Sequence, residues 1–107
     1  MKRYLFVCGR NRLRSPTAEQ IFAQIDGLEV ASAGTGHDAD NPISDEQIRW
    51  ADTIFVMEKP QAAKIRTRFR RALDGKRIIS LDIPDKYRFM DPELIRLLQE
   101  RMARFLP

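Results

Sequence analysis

Short apolar runs alternate along this chain with stretches where apolar residues recur every three or four positions, the rhythm of strands followed by helices. Arg3–Val7 predicts a first strand. Ser15 reads as an N-cap and Pro16 as a first helical position, so a helix should run from Pro16 to Ile25 with Ala18, Ile21, Phe22 and Ile25 on its apolar side, ended by Asp26-Gly27. Leu28–Ala33 predicts a second strand, broken by Gly34-Thr35-Gly36, and residues 36–43 read as a loop. Ser44 with Gln47 makes a capping box for a short helix reaching Ala51, in which Trp50 is expected to be core. Thr53–Met57 is apolar nearly throughout, as a strand covered on both faces should be. Pro60 opens a basic helix to Leu73, closed by Asp74-Gly75. Arg77–Leu81 predicts a fourth strand and Asp82–Met90 a loop. Asp91-Pro92 then caps and starts a last helix with Leu94, Ile95, Leu98, Met102 and Phe105 near one face. The order βαβαβαβα is that of an α/β domain built on a parallel sheet.

Composition narrows the class without naming it. A length of 107 residues predicts a single domain over 1–107, and 43% hydrophobic with 32% charged residues is ordinary for a globular protein. The lone cysteine excludes an internal disulfide and fits a reducing compartment. Met1-Lys2-Arg3 resembles the basic start of a signal peptide, but the apolar run after it is short and soon meets Arg10, Arg12 and Arg14. No stretch approaches the roughly 20 apolar residues of a membrane span, so a cytoplasmic protein without a membrane partner is expected. A net charge of +4 favours anionic partners.

The chemistry concentrates where the first strand should end. Cys8-Gly9-Arg10-Asn11-Arg12-Leu13-Arg14-Ser15-Pro16 has the spacing Cys-x5-Arg-Ser-Pro between a strand and a helix. A loop placed there can wrap backbone N–H groups around a tetrahedral dianion, with the positive end of the helix aimed at the same point. Cys8 supplies a sulfur nucleophile, and Arg14 can hold two phosphate oxygens with its planar fork. A thiol attacks only as its anion, and loop N–H groups, the helix end and Arg14 would all favour that form. Attack on phosphorus would give a phosphocysteine that water then hydrolyses. Gly9 allows close backbone approach, Asn11 tolerates a left-handed backbone and can hold the loop's shape, and Ser15 can donate to the sulfur. Arg10 and Arg12 should point outward, toward solvent or substrate, and Leu13 completes the loop. An inert buried cysteine would leave Asn11, Arg14 and Ser15 at these spacings unexplained.

These residues resemble the low-molecular-weight protein tyrosine phosphatases. The likeness takes in Phe6-Val7-Cys8, Asn11, Arg14-Ser15-Pro16-Thr17-Ala18-Glu19, Ser32-Ala33-Gly34-Thr35, Ala51-Asp52-Thr53-Ile54 with Met57-Glu58, and Asp85-Lys86-Tyr87 before the final helix. The resemblance implies a four-stranded parallel sheet in the order 2-1-3-4 with helices on both faces, and a phosphomonoester hydrolase needing no cofactor or metal. It also implies that Asp85, in the loop after the last strand, is the general acid, with Tyr87 lining the pocket mouth. Asp82 and Asp91 compete for that role, although Asp91 has a structural task as a helix cap. The chain departs from the family pattern at Leu13, where a second cysteine often stands, in a short 36–44 segment, and in its unusually basic loop.

Other readings are weighed on the same residues. Arsenate reduction by thiol relay, a second chemistry of this fold, passes oxidation among several cysteines, and this chain has one. Small-molecule or nucleotide phosphomonoesters compete with phosphoproteins as substrate. A phosphate-sensing or RNA-binding module that kept the loop without turnover is the non-enzyme alternative, motivated by the basic charge. The basic helix 60–73 could meet nucleic acid, but a solvated face is expected. His37 has no metal-ligand company, and Gly34-Thr35-Gly36 lacks the spacing of a dinucleotide fingerprint.

Overall fold

The computed structural model describes residues 1–107. Strands β1 (Lys2–Cys8), β2 (Leu28–Gly34), β3 (Thr53–Val56) and β4 (Arg77–Ser80) alternate with helices α1 (Arg14–Phe22), α2 (Asp45–Trp50), α3 (Lys59–Arg68) and α4 (Pro92–Met102), the last followed by a 3-10 turn at Ala103–Phe105. The strands form one sheet in the order β2-β1-β3-β4, and each of the three pairings is parallel.

The alternation of side chains along β1 divides the core in two. Tyr4, Phe6 and Cys8 face a cluster with Ala18 and Phe22 of α1 and Leu94, Leu98 and Met102 of α4. Leu5 and Val7 face the opposite cluster with Ile48 of α2 and Ala62 and Ile65 of α3. Phe6 stacks on both Phe22 and Phe55 at 5.6 Å between ring centroids, and each such ring buried from water stabilises the fold by roughly 1.5–3 kcal/mol. The Tyr4 hydroxyl donates to the Phe105 carbonyl, tying the C-terminal turn to the sheet.

Most predicted ends fall within two residues of the observed ones, and the exceptions have local causes. Ser15 is not the N-cap of α1: the helix begins at Arg14 after Leu13, whose carbonyl accepts from Thr17 N, and the Ser15 hydroxyl is turned toward Cys8 instead. The same helix stops at Phe22 rather than Ile25, because the chain tightens through Ile25 N to Phe22 O and reverses at Gly27, where φ is +84°. Helix α3 ends at Arg68, short of Leu73. Phe69 leaves the helical region at φ −128° and packs against the second cluster, and like charges at Arg66 and Arg70 disfavour another turn. Ser44 does cap α2 in a reciprocal pair with Gln47, and the Asp91 side chain accepts from Glu93 N. Trp50 is half-buried, packed on the edge of the second cluster. No helix is long and apolar enough to cross a membrane.

Candidate active site

In this strand order the connection after β1 runs to β2 on one side and the connection after β3 runs to β4 on the other, so the chain turns opposite ways from the neighbouring strands β1 and β3. That arrangement opens a crevice at the carboxyl ends of the central strands. A cavity of about 540 Å³ lies there, walled by Cys8, Gly9, Arg10, Arg12, Leu13, Arg14, Glu58, Gln61 and Asp85.

Cys8 is the last residue of β1 and belongs to the face covered by α1. Its Sγ lies 2.9 Å from Ser15 Oγ and accepts from Asn11 N at 3.2 Å. Asn11 Nδ2 donates to the same Ser15 Oγ at 2.9 Å, and the single hydroxyl hydrogen of Ser15 has two acceptors in reach, Cys8 Sγ at 2.9 Å and the Ala33 carbonyl at 3.4 Å. Asn11 sits at φ +56°, the left-handed backbone that its type tolerates, so the loop doubles back with its side chain inside. The first turn of α1 begins at the end of this loop and adds its positive end to the site. Asn11 and Ser15 stand behind the cavity, shaping it from within, whereas Gly9, Arg10, Arg12 and Leu13 are in its wall.

The segment after β2 braces the loop from outside. Thr35 N donates to Cys8 O, Gly36 N to Gly9 O and Asp40 N to Arg10 O, at 3.0, 2.9 and 3.0 Å. Gly34 is required by this approach, since a Cβ there would stand 2.6 Å from Ala39 Cβ and 2.8 Å from Gly9 O. Arg12 turns back onto the same segment, Nε to Asp40 Oδ1 at 3.1 Å, while Arg10 is exposed at the cavity and is in none of the protein's ion pairs.

Arg14 is buried and its guanidinium is aligned from three directions. Nη1 donates to Glu58 Oε1 at 2.6 Å and to Ile83 O at 2.7 Å, and Nε lies 3.7 Å from Asp85 Oδ1. Glu58 directly follows Met57 beyond β3, where Gln61 Oε1 accepts from the backbone N–H of both residues and so fixes the start of α3. In the sequence Glu58 stands within the family likeness at Met57-Glu58 without an assigned role, and its place directly after the third apolar run is the signal that could have found it.

The loop 82–90 separates the three aspartates. Asp85 reaches the cavity wall. Asp82 accepts from Ser80 Oγ and lines a different concavity with Arg101 and Phe105, and Asp91 serves as the cap of α4. Tyr87 is not brought into the cavity wall: its half-buried ring packs against the first core cluster, with Lys86 Nζ 5.6 Å from the ring centroid. His37 is exposed.

Comparison with known proteins adds to this geometry. Residues 3–52 match the model of the family described as low molecular weight phosphotyrosine protein phosphatase. Among solved structures, the chain is similar to the YwlE arginine phosphatase of Geobacillus stearothermophilus, at 26% identity over 98% of this chain and 92% of that one, with a TM-score of 0.76. It is similar in fold to the tyrosine phosphatase Wzb of Escherichia coli K30, at 23% identity over 97% and 95% of the two chains and a TM-score of 0.77. It shares that fold too with SP-PTP, the low molecular weight protein tyrosine phosphatase of Streptococcus pyogenes, at 17% identity over 100% and 95% and a TM-score of 0.79. A search of curated proteins found no significant match. The sheet order is the one expected of that family and the family match over residues 3–52 runs through the Cys8 loop, so the chain is similar to the low-molecular-weight protein tyrosine phosphatases in its fold and in the segment that carries its cysteine.

Proposed function

We propose that the chain hydrolyses phosphomonoesters, with phosphotyrosine in proteins as the foremost substrate, through a phosphocysteine on Cys8. The observation that carries this reading is the convergence of Cys8, Arg14 and Asp85 on one cavity at the carboxyl edge of the sheet. Cys8 Sγ attacks phosphorus as the bond to the leaving oxygen breaks, and the Asp85 carboxyl donates its proton to that oxygen. Arg14, held by Glu58 and Ile83 O, presents a positive charge to the transferring phosphoryl group, and the positive end of α1 stabilises the same anionic group. Water then attacks the phosphocysteine, Asp85 takes the proton, and phosphate leaves with the thiolate restored. Ser15 steadies the sulfur when it carries negative charge as nucleophile and as leaving group.

A second substrate, phosphoarginine, is favoured by the 26% identity to an arginine phosphatase and by the Glu58 and Asp85 carboxylates, which could receive a guanidinium leaving group. Arg10 and Arg12 in the same wall oppose it, because they repel a cation. The deciding experiment offers a phosphotyrosine peptide, a phosphoarginine peptide, a nucleoside monophosphate and an aryl phosphate, then quenches in acid and maps the phosphoryl adduct by mass spectrometry. Turnover highest on phosphotyrosine with an adduct on Cys8 is expected. Turnover without any adduct at Cys8 would reject the mechanism, and a preference for phosphoarginine or the nucleotide would reassign the substrate.

A further inference from the structure

Away from the catalytic cavity, α2 and the end of α3 enclose a second concavity of about 400 Å³. Arg49, Arg68, Arg70 and Arg71 line it, with Asp45 as the one carboxylate. The protein's ion pairs engage Arg3, Arg12 and Arg14, so the charges of Arg49, Arg70 and Arg71 are left to solvent. Arg68 is used differently: its Nη1 donates to Thr35 O at 2.7 Å, and Thr35 N donates to Cys8 O at 3.0 Å. The concavity therefore abuts the segment that braces the catalytic loop.

We propose that this groove is an exosite for a carboxylate-rich peptide, the acidic flank of a phosphorylated protein substrate; the inference rests on the phosphatase activity proposed above. Guanidinium forks match carboxylates with paired hydrogen bonds, and three uncompensated forks facing one concavity form a receptor for several of them. The aromatic rings argue against single-stranded nucleic acid. Phe69 is in the groove wall, but the Arg68 guanidinium lies 5.2 Å from its ring centroid and the ring also packs on the second core cluster, while Trp50 packs on that cluster outside the groove wall, so no row of open rings is available for stacked bases. A fixed positive patch beside the catalytic loop raises the rate of encounter with an acidic protein and holds it longer, which lowers KM and leaves the chemical step alone.

The test is run on the whole chain in two arms. Fluorescence anisotropy of a labelled polyglutamate peptide is expected to show binding that weakens about tenfold in Arg49→Gln/Arg70→Gln/Arg71→Gln, and again as salt rises across the physiological range. Asp45→Asn, which removes the opposing charge, is expected to bind about twofold tighter, a gain that misfolding would not produce. In the second arm, a phosphotyrosine peptide with a glutamate flank is compared with one flanked by alanine. The preference for the acidic flank, carried by KM, should vanish in the triple variant while p-nitrophenyl phosphate turnover stays unchanged. Equal polyglutamate binding by the native protein and the triple variant overturns the exosite, as does single-stranded RNA binding more tightly than polyglutamate through the same arginines. Absence of p-nitrophenyl phosphate turnover in the native protein would instead reject the phosphatase reading, and the binding arm would still decide the groove.

Discussion

Two segments at the carboxyl edge of the sheet meet at the cavity, residues 8–15 and residues 82–90, and they are held in contrasting ways. In the first, Cys8, Asn11, Arg14 and Ser15 are at most 7% exposed, and their polar atoms bond one another, nearby backbone or, for Arg14, the Glu58 carboxylate. In the second, the Asp85 side chain is 65% exposed on a loop fastened at its ends, by Ile83 N to Met57 O at one side and Met90 N to Thr17 Oγ1 at the other. In the proposed roles of nucleophile and anion clamp, Cys8 and Arg14 gain from being built before substrate arrives, since reorganising them during reaction would cost rate. In the proposed role of acid and then base, Asp85 gains from staying in reach of both the leaving group and water. Arg14 joins the two regimes, buried beside the cysteine yet bonded to the carbonyl of Ile83.

The sharpest way to break this comparison is Cys8→Ser, which should leave folding intact by circular dichroism and lower turnover on an aryl phosphate by about 10⁴-fold or more. Asp85→Asn comes next. It should slow alkyl phosphates by about 10²–10⁴-fold and aryl phosphates far less, because good leaving groups need little protonation. Equal losses on both would move the acid to Asp82 or Asp91. Gly34→Ala attacks the brace rather than the chemistry, and chemical denaturation should report a loss of about 1–3 kcal/mol as the loop backbone gives way to the new methyl group. The smallest effect is expected for Glu58→Gln. Removing a negative charge beside the bound dianion should tighten inhibition by inorganic phosphate about fivefold while lowering kcat, because Arg14 is held less firmly. Weaker phosphate binding in that variant would show that alignment of Arg14 outweighs the charge.

Much of the architecture could be read from the chain because its signals are local. The apolar period of Tyr4 to Val7, the Ser44/Gln47 pair and Asp91-Pro92 each determine their own neighbourhood, and the structure agrees with them. The Ser15 reading failed through the same locality. A serine before a proline is a good cap in isolation, but the buried sulfur seven residues earlier claims its hydroxyl. The end of α3 failed because Phe69 answers to a core cluster assembled from residues distant in the chain. Glu58 was invisible for a related reason, since its pairing with Arg14 spans 44 positions.

The amino-acid order alone determined that a sulfur, a guanidinium and a helix start would share one turn of backbone, because Cys8, Arg14 and Pro16 are close along the chain and strand-to-helix geometry is local. Only the tertiary structure decided which carboxylates face that turn. The strand order carries the ends of β3 and β4 to the carboxyl edge of β1, and long-range packing, not spacing, brings Glu58 and Asp85 to Arg14.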